Sequence, residues 1–233
     1  MIESAPWQLP FVEGKVLLID KPLTWTSFDV VAKVRGSIGI KKVGHAGTLD
    51  PLATGLLIVC TGKFTKKINE YMGLEKEYRG TFTLGAVTPT FDLESAPSGF
   101  ASLDGVTPEA FESVLNNFRG SILQVPPIFS AIKQGGKPVY LAARKGLEVT
   151  MEPRPVTIHA FEVVDWRLPE VDVRIVCSTG TYIRSLANDV GAALGCGGYL
   201  SALRRTRIGA FRVEDAQTLE GFLSEIASVR KNS

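Results

Sequence analysis

Histidine and cysteine are scarce in this 233-residue chain, with two histidines, His45 and His159, and three cysteines, Cys60, Cys177 and Cys196. The cysteines are odd in number and none stands in a Cys-x-x-Cys spacing. This argues against a disulfide frame or a zinc cluster and leaves buried thiols as the expectation. With so few imidazoles beside them, no ligand set for a transition metal assembles itself, and no metal centre is expected. Long apolar runs are missing too. The longest, Leu56-Leu57-Ile58-Val59-Cys60, is far shorter than the ~20 residues a membrane-spanning helix requires. The opening residues, Met1-Ile2-Glu3-Ser4-Ala5-Pro6, have neither the basic segment nor the apolar core of a secretory leader. There is no internal repeat and no low-complexity stretch. These absences predict a cytoplasmic protein with no membrane association.

What is present suits a globular protein. Apolar residues make up 45% and charged residues 21%, neither a disordered nor a membrane composition, and the length is enough to bury a core in one domain, with or without an inserted lobe. Net charge is only +2, but its sign varies along the chain. Residues 32 to 79 carry nine Lys and Arg against four acids, and residues 126 to 213 carry twelve against seven, whereas residues 91 to 118 hold five acids and no base. Basic faces on a near-neutral protein suit contact with phosphates, although solvated surface charge has the same composition.

The stretch Gly44-His45-Ala46-Gly47-Thr48-Leu49-Asp50-Pro51-Leu52-Ala53-Thr54-Gly55 holds one carboxylate in a loop poor in bulk. Its glycines permit close approach of a ligand to the main chain, and Pro51 biases Asp50 toward an extended conformation. Lys41, Lys42 and His45 precede it, and the buried strand predicted at 56 to 60 follows it. Turn formation, helix capping and plain solvation are the ordinary uses of such an aspartate.

The company Asp50 keeps points elsewhere. The twelve residues from 44 to 55 closely resemble the aspartate motif of the TruB family of tRNA pseudouridine synthases. Asp20-Lys21-Pro22, Thr26-Ser27, Lys76-Glu77-Tyr78, Thr179-Gly180-Thr181-Tyr182-Ile183-Arg184 and Leu203-Arg204-Arg205 follow in that family's order. The resemblance covers roughly residues 14 to 209. It implies an α+β pseudouridine synthase fold, a mixed and largely antiparallel sheet flanked by helices. It also implies a single catalytic domain with a thumb-like insertion at about 121 to 152, and no cofactor. It places Asp50 at the nucleophile position, Tyr78 against the target base and Arg184 as the cation beside Asp50. His45, Tyr182, Leu203 and Lys21 become substrate-pocket residues, His45 taking the place left by a flipped-out nucleotide. Lys133, Lys137, Arg144, Lys145, Arg204 and Arg205 become candidates for RNA contacts. The expected partner is the T-arm stem-loop of tRNA, met by a monomer with no obligate protein partner and with no room for a C-terminal PUA domain. The competing readings are a guide-RNA-dependent synthase, a non-catalytic tRNA-folding protein and, more remotely, an aspartate-dependent hydrolase.

The pattern of residues sets further expectations. Residues 15 to 19 predict a strand. Ser27 predicts an N-cap, followed by a helix whose stripe is Phe28, Val31, Val34 and Ile38 and which Gly39 ends. Thr24 stands where family members usually carry glycine. Alternation of Tyr78, Gly80, Phe82 and Leu84 predicts a half-buried strand. Thr88-Pro89-Thr90-Phe91-Asp92 resembles a family motif but has Pro89 in place of an aspartate, leaving Asp92 without an assigned role. Thr107-Pro108 predicts a helix start, with Phe111, Val114, Leu115 and Phe118 on one face. A helical piece is predicted from 139 to 145 and two strands from 156 to 167 and 171 to 178. They lead to an extended segment that points Tyr182 and Arg184 to one side. A helix with Leu186, Val190, Ala193 and Leu194 on its apolar face comes next, and a last helix carries Leu219, Phe222, Leu223 and Ile226.

Overall fold

The computed structural model describes residues 5–130, 132–134, 137–139 and 150–232. The chain divides into two compact units, Met1–Tyr78 with Leu203–Ser233, and Arg79–Ala202. The chain passes between them inside two strands, Lys76–Leu84 and Gly198–Ile208.

The first unit is organised around strand Ala53–Thr61, whose unbroken apolar run is buried on both faces, as a central strand requires. Val16–Lys21 pairs antiparallel along one edge, with Leu17 opposite Val59 and Lys21 opposite Gly55. The other edge is shared. Val43–Ala46 pairs antiparallel with its far half, Ala46 opposite Ile58, while residues 203–205 pair parallel with its near half, Arg205 opposite Gly55. Gln217–Thr218 adds a short parallel pairing on Val16–Lys21. On one face helices Ser27–Ile38 and Leu219–Lys231 bury Val30, Val31, Val34, Ile38, Phe222 and Ile226 against Ile19, Leu57 and Val59. On the other, Leu56, Ile58 and Cys60 pack with Ile208 and Val213. Each such fully buried aliphatic side chain contributes about 1.5–3 kcal/mol relative to exposure.

The second unit is antiparallel at its centre. Arg154–Arg167 forms a hairpin with Glu170–Cys177, Phe161 opposite Ile175, and Gly120–Gln124 pairs along the other edge of the longer strand. Val171, Val173, Ile175 and Cys177 are buried, the alternation read in the sequence. Phe82 meets Phe161 edge-on at 5.9 Å, and Phe111 of helix Pro108–Leu115 meets Trp166 at 5.4 Å. Helix Ile183–Ala193 buries Leu186, Ala187 and Val190. All three cysteines are buried thiols.

Several expectations are corrected. Thr26, not Ser27, caps helix Ser27–Ile38. Its hydroxyl accepts from Asp29 N–H while the Asp29 carboxylate accepts from Thr26 N–H, a closed capping box. Val31, Val34 and Ile38 are buried as expected, but Val30 joins them in the core in place of Phe28, which is 65% exposed. Residues 183 and 184 are already helical, so period-two alternation does not govern Tyr182 and Arg184. Ala193 is exposed. Lys133 and Lys137 lie in a two-stranded ribbon, Lys133–Gln134 against Lys137–Pro138. Arg144, Lys145 and most of the helix predicted from 139 to 145 lie outside the described residues. Among the described residues no helix is long and apolar enough to cross a membrane.

Candidate active site

The Asp50 loop connects strand Val43–Ala46 to strand Ala53–Thr61, and side chains from other segments hold its peptides. Ser27 Oγ accepts from Leu49 N–H at 2.9 Å, the bond that takes this hydroxyl away from capping its own helix. Thr24 N–H donates to Pro51 C=O at 2.9 Å, and Asp50 C=O receives Ala53 N–H at 3.0 Å. Arg205 fills the gap between the two edge partners. Its Nε donates to Leu56 C=O at 2.8 Å, Nη2 to Gly47 C=O at 3.1 Å and Nη1 to Thr48 C=O at 3.4 Å. Gly55 is required where the two strands meet, because a Cβ there would lie 2.3 Å from the carbonyl oxygen of Arg205. Leu49 is buried, and Asp50 stays partly exposed at the turn it opens.

Lys21 braces the same loop. The residue is wholly buried, and its Nζ donates to Trp25 C=O at 2.5 Å, Pro22 C=O at 3.0 Å and Pro51 C=O at 3.3 Å, tying the 21–25 turn to the residue after Asp50. Burial holds its ammonium down at about 8; the Asp50 carboxylate raises it against that trend, and the Arg205 charge lowers it further. Asp50 therefore lies within the field of Lys21. His45, on strand Val43–Ala46, is half-buried, and its imidazole is lowered below the ordinary range by burial and then by Arg205. Near neutral pH it is an uncharged ring.

The remaining candidates of this unit are distributed around the loop in different ways. Leu203 stands opposite Ala53, three residues beyond Asp50. Tyr78 is 8% exposed in strand Lys76–Leu84. Arg204 is half-exposed and clamped on both oxygens of Asp20, at 3.0 and 2.7 Å. Arg205 is 1% exposed and Lys21 0%, and the polar atoms of both are directed at main-chain carbonyls of the loop and its neighbours.

Tyr182 and Arg184 belong to the second unit. Arg184 is 4% exposed; its Nη1 donates to Thr90 C=O at 3.0 Å and its Nη2 to Phe129 C=O at 3.2 Å, while its Nε lies 3.6 Å from Asp92 Oδ2. Asp92 is 4% exposed, and its Oδ1 accepts from Glu94 N–H. A buried guanidinium with a buried carboxylate is expensive to break by removing one partner. Asp92 is the residue whose importance the sequence concealed, because Pro89 interrupts the motif that would have signalled it. Among the described residues no three or more of His, Cys, Asp and Glu come together as a metal site.

Residues 35–183 match the model of the TruB family pseudouridylate synthase N-terminal domain, and residues 184–232 that of the tRNA pseudouridylate synthase B C-terminal domain. The chain is 51% identical over 213 residues to tRNA pseudouridine synthase B of Flavobacterium johnsoniae, covering 88% of this chain and 93% of that one. It is 50% identical to the protein of the same name from Phocaeicola vulgatus over 91% of this chain and 93% of that one. The corresponding protein of Desulfotalea psychrophila is 48% identical over 92% and 90%. In structure it is similar to a chain of a Cbf5-Nop10-Gar1 complex, at TM-score 0.76 and 29% identity. It is also similar to a chain of an H/ACA RNP bound to a substrate RNA containing 2'-deoxyuridine, at 0.72 and 27%. Each likeness covers 98% of this chain but only 59% and 58% of those longer chains. With family models spanning residues 35–232 and relatives about half identical over some nine tenths of its length, the chain belongs to the TruB family of pseudouridine synthases.

Proposed function

We propose that this enzyme converts a uridine in the T-loop of tRNA, at position 55, to pseudouridine, with Asp50 as the nucleophile. The observation that carries the reading is the bracing of residues 47 to 51. Serine, lysine and arginine side chains from three other segments hold the peptides on both sides of Asp50, so its carboxylate is delivered in a fixed place next to a buried cation. The relatives named tRNA pseudouridine synthase B supply the substrate class.

The isomerisation breaks the N-glycosidic bond, turns the uracil and rejoins it to ribose through carbon 5, which must release its proton. Asp50 supplies the single nucleophile this needs, and no cofactor takes part. Beside Lys21, Arg184 is the proposed second cation that favours the ionised carboxylate; Tyr78 packs on the base and serves the proton transfers. Extracting the base from the folded loop costs a few kcal/mol. The uncharged, flat imidazole of His45 offsets part of that by stacking where the base had been, while Tyr182 and Leu203 wall the pocket. Lys133, Lys137, Arg144, Lys145 and the half-exposed Arg204 are the proposed phosphate contacts.

The test is Asp50→Asn assayed on a tRNA transcript tritiated at carbon 5 of uridine. The variant should bind tRNA as the parent does and release no tritium, and retained turnover would overturn the nucleophile assignment. The likeness to a chain of an H/ACA RNP bound to a substrate RNA favours a second reading, in which a separate RNA selects the uridine. Pseudouridine formed by the purified protein alone on a T-arm stem-loop excludes that reading and a non-catalytic one together.

A further inference from the structure

Helix Ile183–Ala193 begins without a side-chain hydrogen bond at its N-cap, Tyr182. What fixes its start comes from another segment. Gln124, the last residue of strand Gly120–Gln124, is 2% exposed, and its primary amide closes on the main chain of Tyr182. Oε1 accepts from Tyr182 N–H at 2.8 Å, and Nε2 donates to Tyr182 C=O at 3.0 Å. Only an amide side chain offers a neutral donor and acceptor side by side, so one residue satisfies both polar groups of another. The chain beyond Gln124 continues the fastening. Ser185 Oγ donates to Val125 C=O at 3.0 Å, and Arg184 Nη2 donates to Phe129 C=O at 3.2 Å. Residues 124, 125 and 129 thus hold residues 182, 185 and 184 at the start of the helix.

We infer that Gln124 is a positioning residue for Arg184, an inference that rests on the catalytic role proposed above for that arginine. Arg184 is two residues past the clamped peptide, at the second position of the helix. Its long side chain magnifies any shift of the helix start, and productive geometry tolerates only about 0.5 Å. Thr90 C=O and Asp92 receive the guanidinium from a different segment, so a displaced helix start loses registration with them as well. Nothing in the residue pattern signals Gln124, because a glutamine closing an ordinary-looking strand has no distinguishing spacing.

Gln124→Met keeps most of the volume and removes both hydrogen bonds. Single-turnover tritium release from tRNA transcript labelled at carbon 5 should fall about 10- to 100-fold, with the Kd for tRNA unchanged within about threefold. In an Arg184→Lys background the same substitution should cost no more than about threefold, because both changes act on one guanidinium. An equal loss in the two backgrounds overturns the inference while leaving the role of Arg184 intact. Parallel loss of rate and affinity overturns it in favour of a general structural role. Parental turnover by Arg184→Lys alone would instead remove the reading on which the inference depends. If the methionine variant fails to fold, Gln124→Glu, which keeps the acceptor for Tyr182 N–H and loses the donor, takes its place in the same cycle.

Discussion

Arg205→Met separates a loop brace from an RNA contact. The guanidinium makes two well-formed bonds, to Leu56 C=O at 2.8 Å and Gly47 C=O at 3.1 Å, and a longer one to Thr48 C=O. Hydrogen bonds to a charged donor contribute about 1.5–3 kcal/mol each, which sets a gross loss of roughly 3–6 kcal/mol. Removing a buried charge recovers part of its desolvation cost, and methionine keeps the apolar stem, so the expected net loss is about 2–4 kcal/mol. Urea denaturation should show a lower midpoint at unchanged m-value. The Arg205 charge lowers His45, so the variant should raise the His45 pKa followed by NMR. Turnover should fall at least about tenfold as the carbonyls before Asp50 lose their anchor. The dependence of tRNA affinity on salt should keep its slope. Stability within about 0.5 kcal/mol of the parent, together with a salt slope smaller by about 1, would refute the reasoning and make Arg205 a phosphate contact.

Lys21 provides a pH test. Its folded pKa of about 8 lies below the unfolded value of 10.5, so between those limits the unfolded chain binds more protons. The penalty for burying the ammonium is complete below pH 8 and is relieved as pH rises to 10.5, by roughly 3 kcal/mol. Unfolding free energies of the parent should therefore gain on those of Lys21→Met across that window, and a constant difference would contradict the burial. Thr24 adopts φ 68°, a left-handed conformation costly for a β-branched residue. Thr24→Gly should raise stability by about 1 kcal/mol, or the melting temperature by about 2–4 °C, and a lower melting temperature would show that the turn is not strained.

Strands and helices were legible wherever one periodicity ruled a segment. The run from 56 to 60, the alternation from 171 to 177 and the stop at Gly39 all appear as read. The Ser27 cap failed because Thr26-Ser27 offers two hydroxyls in a row, and a loop 22 residues away claims the second. Arg204 and Arg205 look alike in sequence but alternate across a strand, so one clamps Asp20 near the surface and the other enters the core. Lys21 and Arg205 are found by motif, but the carbonyls they serve are main-chain groups that no residue type announces. Asp92 and Gln124 act through partners more than fifty residues away, beyond the reach of any local pattern.

The shared edge of strand Ala53–Thr61 imposes an order on assembly as the ribosome makes the chain. Residues 16 to 61 can pair and collapse early, but the seat for the Asp50 turn stays open until Arg205 has been synthesised, about 150 residues later. All of Arg79–Ala202 is made in that interval. A nascent chain stalled before residue 203 therefore holds its Asp50 turn in an unfinished cradle.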